Sequence, residues 1–224
     1  MVLKLNSSNE GKTYAKFYGQ NIKQMPKLVS AHRTALSIND FHMRRLKLFY
    51  SIDEELRGSW IYNYFDTSDA VFYHPDGRVK FVPNAQVLRE MTPNSKRLCG
   101  ALVLEDGVYE STNGWELKVA ELKKMNIGKP LTPKEAKANQ ILLFHFNVDR
   151  EALSQYVDVF LPEMKRRWGY DRAMGVYLDS SSKVPKAKSL VLCGSYGRSL
   201  IDGRYPLDGN DGCLVGKLAE KRAA

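Results

Sequence analysis

Asp106 and the triplet Glu116-Leu117-Lys118 are the residues whose types and spacing come nearest to an active site. Asp106 directly follows the apolar stretch 98–105, which predicts a strand, and the triplet lies on the next element. An acid at a strand end and an acid-x-lysine can hold a divalent metal and orient an attacking water, as metal-dependent nucleases require. A metal-dependent nuclease or phosphodiesterase is therefore one alternative function, although this triplet is common by chance.

The four histidines form no metal-binding or catalytic motif in the sequence. None belongs to an HxxxH or HxE pattern, which disfavours zincins and zinc deaminases. His145 lies within an apolar run, and this position favours a histidine of the hydrophobic core over a ligand. The histidines are His32, His42, His74 and His145.

Two glycine-containing segments resemble a nucleotide site and a calcium site incompletely. Gly11-Lys12-Thr13 matches the tail of a phosphate-binding loop, but Asn6 stands where that loop needs its first glycine. Residues 208–212 resemble an EF-hand loop, but the ligand spacing fails and the glutamate of the twelfth position is absent. We therefore predict no cofactor and no metal, and the sequence leaves open whether the chain is an enzyme.

Positive charge is concentrated at the two ends of the chain, whose net charge is +9. Residues 1–50 carry 9 basic and 2 acidic side chains, and residues 183–224 carry 8 and 4. The middle, residues 51–182, carries 17 basic and 19 acidic side chains. A basic N-terminal region (1–50) and a glycine-rich basic C-terminal region (183–224) are typical of a surface that meets polyanions.

This charge distribution leads to our main functional hypothesis, a non-enzymatic nucleic-acid-binding or accessory protein. Arginine and lysine contact the phosphate backbone of nucleic acids, and basic residues beside tyrosines on a strand suit single strands. The sequence does not distinguish DNA from RNA as the partner. The residues predicted to contact phosphate are Arg44, Arg45, Lys47, Arg78, Lys80, Arg166 and Arg167.

An aromatic segment supports a third hypothesis, a structural or assembly protein. Residues 60–65 read Trp-Ile-Tyr-Asn-Tyr-Phe, a strand-like pattern. Tryptophan and tyrosine are favoured anchors of subunit interfaces. In this hypothesis the segment near Trp60 is such an interface and the chain forms homo-oligomers.

Two helices are the clearest elements among those that must position these residues. Ser37 begins a variant capping box, and apolar residues at helical spacing predict a helix over 37–57 that ends at Gly58. Asp149 is expected to cap a second helix over 150–168, because its carboxylate can accept from free backbone amides of the first turn.

Strands are predicted from apolar runs and turn residues. The unbroken run 141–148 is typical of a strand buried on both faces, and 173–178 supplies another. Residues 70–73 and 78–82 flank His74-Pro75-Asp76-Gly77, which suits a type I hairpin turn. We therefore predict a single α+β domain over 1–224, with a mixed or antiparallel sheet and two main amphipathic helices packed on it.

The cysteines and the hydropathy pattern bear on the compartment. Three cysteines, Cys99, Cys193 and Cys213, are an odd number without CxxC spacing, so reduced thiols are expected. No apolar run reaches the length of about 18 residues that a membrane span needs, and the N-terminus lacks the pattern of a signal peptide. These observations predict a cytoplasmic protein without a membrane partner.

Overall fold

The computed structural model describes residues 3–5, 13–179, 182–194 and 199–219. Gly11 and Lys12 of the partial phosphate-loop match lie outside the described residues. The strands are β1 Tyr14–Tyr18, β2 Arg33–Ala35, β3 Phe65–Tyr73, β4 Val79–Val82, β5 Arg97–Leu98, β6 Ala101–Val103, β7 Trp115–Leu117, β8 Gly175–Tyr177, β9 Lys186–Leu192, β10 Ser199–Asp202 and β11 Cys213–Leu218. The helices are α1 Asn21–Ser30, α2 Ile38–Phe49, α3 Glu54–Ile61, α4 Gln86–Glu90, α5 Val108–Ser111, α6 Val119–Leu122, α7 Pro133–Ala138, α8 Gln140–His145 and α9 Arg150–Trp168.

The strands of the described residues join in one mixed sheet. Its main path runs β1-β11-β3-β9-β10-β8, and the remaining strands pair at its sides. β1 pairs antiparallel with β11, from Tyr14 opposite Lys217 to Tyr18 opposite Cys213, so segments from the two ends of the chain lie side by side. β11 pairs parallel with β3. The predicted α+β class with a mixed sheet is confirmed.

Strand β3 runs through the middle of the sheet, and all its residues are buried. Val71 and Tyr73 belong to a hydrophobic cluster that includes residues of α2, α3 and α9. Ala70 and Phe72 belong to a second cluster with residues of α1 and α4. Because successive side chains of a strand point to opposite faces, both faces of the sheet are covered here.

Helix α9 has the bounds that the sequence predicts. The carboxylate of Asp149 accepts a hydrogen bond from the Ala152 backbone amide at 2.9 Å, as expected of an N-cap. Gly169 follows with φ of 70°, the left-handed conformation that favours glycine at a helix end. The helix continues through Pro162 without a break in its assignment.

The helix predicted over 37–57 is two helices in the structure, α2 and α3. Tyr50 ends α2, and the carboxylate of Asp53 accepts from the Leu56 backbone amide at 2.9 Å. Asp53 therefore begins a new helix that includes Gly58 and continues to Ile61. The prediction was wrong here because an internal N-cap outweighs the continuity of the apolar spacing.

The strand predicted over 141–148 is also wrong, since residues 140–145 form helix α8. The side-chain oxygen of Asn139 accepts from the backbone amides of Ile141 and Leu142 at 3.0 Å and caps this helix. A short apolar run buried on all sides carries no periodicity that separates a strand from a helix. His145 is buried as predicted, with 3% of its surface exposed.

The hairpin predicted around residues 74–77 is confirmed as β3 and β4, with Val71 opposite Phe81. The strand predicted over 98–105 is interrupted in the structure. Cys99 and Gly100, with φ of 51° and 71°, form a tight turn between β5 and β6. Within the described part of the chain, no helix combines the length and the apolar character needed to cross a membrane.

Candidate functional site

The basic residues of α2 do not form a phosphate-binding surface. Arg45 is fully buried, and its guanidinium donates to the carbonyls of Trp60 at 2.8 Å, Asn63 at 3.1 Å and Cys193 at 3.3 Å. Arg44 is half-buried, with its guanidinium over the Trp60 ring at 5.3 Å. Lys47 is exposed on the helix surface. Arg45 therefore connects α2 to the start of β3 and the end of β9 and is not available to a nucleic acid.

Arg78 and Lys80 are engaged by groups of the protein itself. The Arg78 guanidinium forms ion pairs with Asp76, Glu110 and Glu116 at 2.8–3.2 Å. The Lys80 ammonium is buried and donates to the backbone carbonyl of Tyr109 at 2.7 Å. Charges that are already compensated in this way leave little attraction for a phosphate backbone.

Arg166 and Arg167 lie at the end of α9 and have partners as well. Arg166 forms an ion pair with Glu163 at 2.7 Å, and the Arg167 guanidinium lies 4.2 Å from the centre of the Tyr62 ring. The predicted set thus contains buried, paired and exposed residues in different parts of the fold. The structure does not bring them together as one basic surface.

The metal site that the nuclease alternative requires and the aromatic interface of the assembly hypothesis are not formed either. Asp106 is exposed, whereas Glu116 is bound by Arg78, and no group of three ligating side chains with metal-binding geometry occurs among the described residues. Trp60 and Ile61 lie in α3 with no exposed surface, so they cannot contact another subunit. The aromatic segment belongs to the hydrophobic core because α3 packs it against Phe41 and Phe65.

A cavity beside the C-terminal glycine-rich segment has the features of a ligand site. It has a volume of about 370 Å³, and we call it the loop cavity. Three parts of the fold contribute to its lining: the start of α1, the central strands β3 and β9, and the segment that leads into β11. The lining residues are Asn21, Tyr64, Asp66, Val191, Tyr205, Pro206, Gly209, Asp211, Gly212 and Cys213.

Two buried polar side chains that line the loop cavity carry atoms without a hydrogen-bond partner among the described residues. Asn21 has only 2% of its surface exposed, and neither its amide nitrogen nor its amide oxygen has a partner. Oδ2 of Asp66, which is 8% exposed, has none either. Buried polar groups are normally hydrogen-bonded, so this concentration of unused capacity in one cavity needs an explanation.

Burial raises the pKa of the Asp66 carboxyl from 3.8 to about 6. The neighbouring Asn21 amide and the Cys213 backbone amide offset part of this rise, although no hydrogen bond of normal geometry joins the Asn21 and Asp66 side chains. Burial, with Asp66 nearby, also raises the pKa of the Cys213 thiol to about 12. Above pH 6 the cavity therefore holds a carboxylate next to a protonated thiol, and no described lining residue carries a compensating positive charge.

Backbone hydrogen bonds fix the C-terminal segment against α1. The Gly19 amide donates to the Gly212 carbonyl at 2.9 Å, and the Ile22 amide donates to the Leu207 carbonyl at 3.0 Å. These bonds hold one wall of the loop cavity to the end of β1 and the first turn of α1. The cavity is thus built from segments that are distant in the sequence and joined by the pairing of β1 with β11.

The rim of the loop cavity is aromatic and acidic. Tyr64 and Tyr205 lie with ring centres 6.1 Å apart, tilted by 53°. Tyr205 is 44% exposed, and Asp211 is exposed beside it on the same segment. The described lining residues include no lysine, arginine or histidine.

A second polar cavity, of about 430 Å³, contains Asp69 and His145. The Asp69 carboxylate accepts from the backbone amides of Ile38 and Asn84 at 2.9 Å and lies 3.7 Å from Nδ1 of His145. Its two oxygens are therefore already used to hold α2 and Asn84, two residues after β4. This carboxylate has a structural role, in contrast to that of Asp66, whose Oδ2 has no hydrogen-bond partner among the described residues.

The fold is similar to that of a solved structure described as "Accommodation of massive sequence variation in Nanoarchaeota by the C-type lectin fold". The two chains superpose with a TM-score of 0.68 and 17% sequence identity, over 96% of this chain and 100% of the other. No protein-family model and no curated protein match the sequence. At this identity the likeness establishes the fold alone, and the chain has the C-type lectin fold.

This fold corrects the functional hypotheses drawn from the sequence. The nucleic-acid-binding hypothesis and its nuclease alternative are wrong, since the neighbouring structure is of the C-type lectin fold and the predicted basic residues are largely used inside the protein. The sequence analysis also missed the loop cavity. The density of glycine and aspartate in residues 202–212 was the only signal for it, and this signal was interpreted as turns.

Proposed function

We propose that this chain is a ligand-binding protein in which the C-type lectin fold holds a binding site at the loop cavity. The observation that carries the proposal is the pair of buried side chains, Asn21 and Asp66, that line this cavity with unused hydrogen-bonding atoms. An unsatisfied buried polar group costs about 1–3 kcal/mol, so a bound ligand that supplies the missing hydrogen bonds recovers this free energy.

The neighbouring structure supports this proposal in one respect. It is described as a C-type lectin fold that accommodates massive sequence variation, which requires a core that is independent of the varied residues. In this chain Asp66 lies on the central strand β3, whereas Tyr205 and Asp211 lie on the segment between β10 and β11. We infer that the core holds the floor of the site and that the segment 203–212 determines which ligand fits.

Protein-observed NMR with small probes of four chemical classes tests the proposal. The probes are methylguanidinium chloride, sodium acetate, methyl glucoside and phenol, each titrated into the full chain. We expect at least one probe to shift the backbone amide signals of Asn21 and Gly212 with saturation, because these residues line the loop cavity.

Tyr205→Ala and Tyr50→Ala form the matched pair of variants for this titration. Tyr205 lines the loop cavity, whereas Tyr50 is 75% exposed and lies outside its lining. Tyr205→Ala is expected to weaken the bound probe at least threefold, and Tyr50→Ala to leave it unchanged. If none of the four probes shifts the cavity signals, or if both variants behave like the parent chain, the proposed function is wrong.

The cytoplasmic location and homo-oligomer formation remain predictions. Support for the location comes from the three free cysteines, one of which, Cys99, is exposed. Exposed free thiols are typical of reducing compartments. Cell fractionation tests the location, and the mass measured by light scattering over a range of concentrations tests the oligomeric state.

A further inference from the structure

We propose that the group bound in the loop cavity is an organic cation, either a guanidinium or a primary ammonium. This inference rests on the proposed function of the same cavity and specifies the chemical class of its ligand. It is carried by the charges, the hydrogen-bonding capacity and the ring positions of the lining residues.

The charged side chains in the described lining of the loop cavity are acidic. Asp66 at the floor and Asp211 at the rim are both carboxylates, and the described lining residues contain no basic side chain. Lys16 acts electrostatically on the neighbouring Cys213, but its ammonium donates to the Leu3 carbonyl at 2.9 Å and is not part of the lining. Among the described residues, the uncompensated charge of the cavity lining is therefore negative, and a cation compensates it.

Three backbone amides at the start of α1 are already used and do not attract an anion. A helix N-terminus usually attracts anions through its free backbone amides. Here the Ile22 amide donates to the Leu207 carbonyl, and the amides of Lys23 and Gln24 donate to the Gln20 carbonyl. With these three donors occupied and Asp66 beside them, a carboxylate or phosphate would meet repulsion, and the side-chain amide nitrogen of Asn21 is the unpartnered donor opposed to it.

The unpartnered acceptors and the tyrosine rings of the loop cavity also suit a cation. Oδ2 of Asp66 and the amide oxygen of Asn21 are both unpartnered acceptors, and a guanidinium or ammonium carries several donors. Tyr64 and Tyr205, whose ring centres lie 6.1 Å apart, both line the same cavity. Cations are attracted to aromatic faces, with about 0.5–2 kcal/mol per contact.

The charge state of Asp66 gives the inference a pH dependence. With a pKa of about 6, Asp66 is mainly neutral at pH 5 and mainly ionised at pH 7.5. Its titratable neighbours keep their charge over this range, since the pKa values of Cys213 and Tyr205 are raised to about 12. Cation binding is therefore expected to strengthen several-fold between pH 5 and pH 7.5.

The test compares methylguanidinium with methylurea, which has nearly the same shape but no charge. Both are titrated by NMR into the parent chain, Asp66→Asn and Asp106→Asn. Asp106 is an exposed carboxylate outside the lining, so its variant carries the same loss of charge without changing the cavity. We expect methylguanidinium to bind at least tenfold more tightly than methylurea, Asp66→Asn to remove this preference, and Asp106→Asn to retain it.

The outcomes separate this inference from the proposed function. n-Butylammonium is titrated in the same way as the probe for a primary ammonium. If methyl glucoside, acetate or phenol binds at the cavity while methylguanidinium and n-butylammonium do not, the cavity binds a ligand but the cation inference is wrong. The inference also fails if methylurea binds as tightly as methylguanidinium or if Asp66→Asn leaves the preference intact. If no probe of any class shifts the cavity signals, the proposed function itself fails.

Discussion

Gly212 lies so close to Asp66 that a Cβ atom built on Gly212 would stand 2.4 Å from Oδ2 of the Asp66 carboxylate. The same atom would lie 2.6 Å from the backbone carbonyl of Gly19. Both distances are shorter than van der Waals contact, so β11 can begin beside the carboxylate only with a glycine at this position. The space around Asp66 in the loop cavity therefore depends on the missing side chain of residue 212.

Gly212→Ala is predicted to destabilise the protein and to close the floor of the loop cavity. The added methyl group must displace either the carboxylate or the backbone of Gly19, and overpacking of this kind costs about 1–3 kcal/mol. Urea unfolding followed by circular dichroism measures this loss. Gly58→Ala is the control, since a Cβ there meets only ordinary contacts within α3 and alanine favours the helix. Equal stability of Gly212→Ala and the parent chain would contradict the prediction.

Asp66→Asn is predicted to stabilise the protein at pH 8. Burial raises the pKa of Asp66 from 3.8 to about 6 in the folded state, so the folded protein binds the proton more tightly than the unfolded chain. The stabilisation that the tighter proton binding gives the folded protein is fully present below pH 4 and is lost as the pH rises through 6. The loss amounts to at most about 3 kcal/mol, at about 1.4 kcal/mol per pKa unit.

Urea unfolding of the parent chain and of Asp66→Asn at pH 4, 6 and 8 checks this sign. The advantage of the variant should grow from pH 4 to pH 8, and Asp106→Asn should show no such growth because Asp106 is exposed. A stabilising substitution that removes the preference for a cation is the expected behaviour of a functional residue, since binding sites retain costly groups. A variant less stable than the parent at pH 8 would show that Asp66 has a structural partner.

The sequence was sufficient to predict those elements whose signals are local. The Asp149 cap and the turn at 74–77 act through neighbouring residues, and both were predicted correctly. The run 141–148 was wrongly predicted as a strand, because an apolar run buried on all sides has no periodicity. Distant segments of the chain bury this run, and its own sequence carries no information about them. The single-domain organisation is a prediction that these structural features leave untested.

The candidate site could not be predicted because it depends on pairing over long sequence separations. Asn21, Asp66 and Gly212 meet only after β1 and β3 both pair with β11. The basic residues were wrongly predicted as a phosphate-binding surface, because the charge of a residue in the sequence does not reveal whether its side chain is buried. Arg45 and Lys47 are two residues apart, yet one has no exposed surface and the other lies on the helix exterior.

Arg45 and Lys47 therefore provide a matched pair for the role of charge in α2. Arg45→Met leaves the carbonyls of Trp60, Asn63 and Cys193 without their donor, and it is predicted to cost about 3–5 kcal/mol. Lys47→Met changes an exposed side chain, and its effect is predicted to stay within about 0.5 kcal/mol. Chemical unfolding of both variants at pH 7 measures the difference. Similar stabilities would contradict a structural role for Arg45.

The last prediction concerns the buried imidazole of His42. Its ring stacks on Phe146 with centres 4.1 Å apart, and neither ring nitrogen has a hydrogen bond of normal geometry. Burial, then the charges of Arg45 and His145, hold the pKa of His42 well below 6.5, although the His145 backbone offsets part of this shift. The unfolded chain therefore binds a proton at His42 that the folded protein excludes. The contribution of His42 to the free energy of unfolding is fully present above pH 6.5 and is lost as the pH decreases below this value.

His42→Leu is predicted to remove this part of the acid sensitivity. Between pH 6.5 and pH 5 the parent chain should lose up to about 1.4 kcal/mol of stability per pH unit through this residue, and the variant should lose correspondingly less. The ionisation of Asp66 changes the stability of the parent chain in the opposite direction between pH 4 and pH 6. The contribution of His42 is therefore measured as the difference in stability between His42→Leu and the parent chain at each pH. His32→Asn is the control, because His32 is exposed and asparagine tolerates its φ of 53°. Parallel pH profiles for His42→Leu and the parent chain would show that the buried imidazole is not the group that acid charges on unfolding.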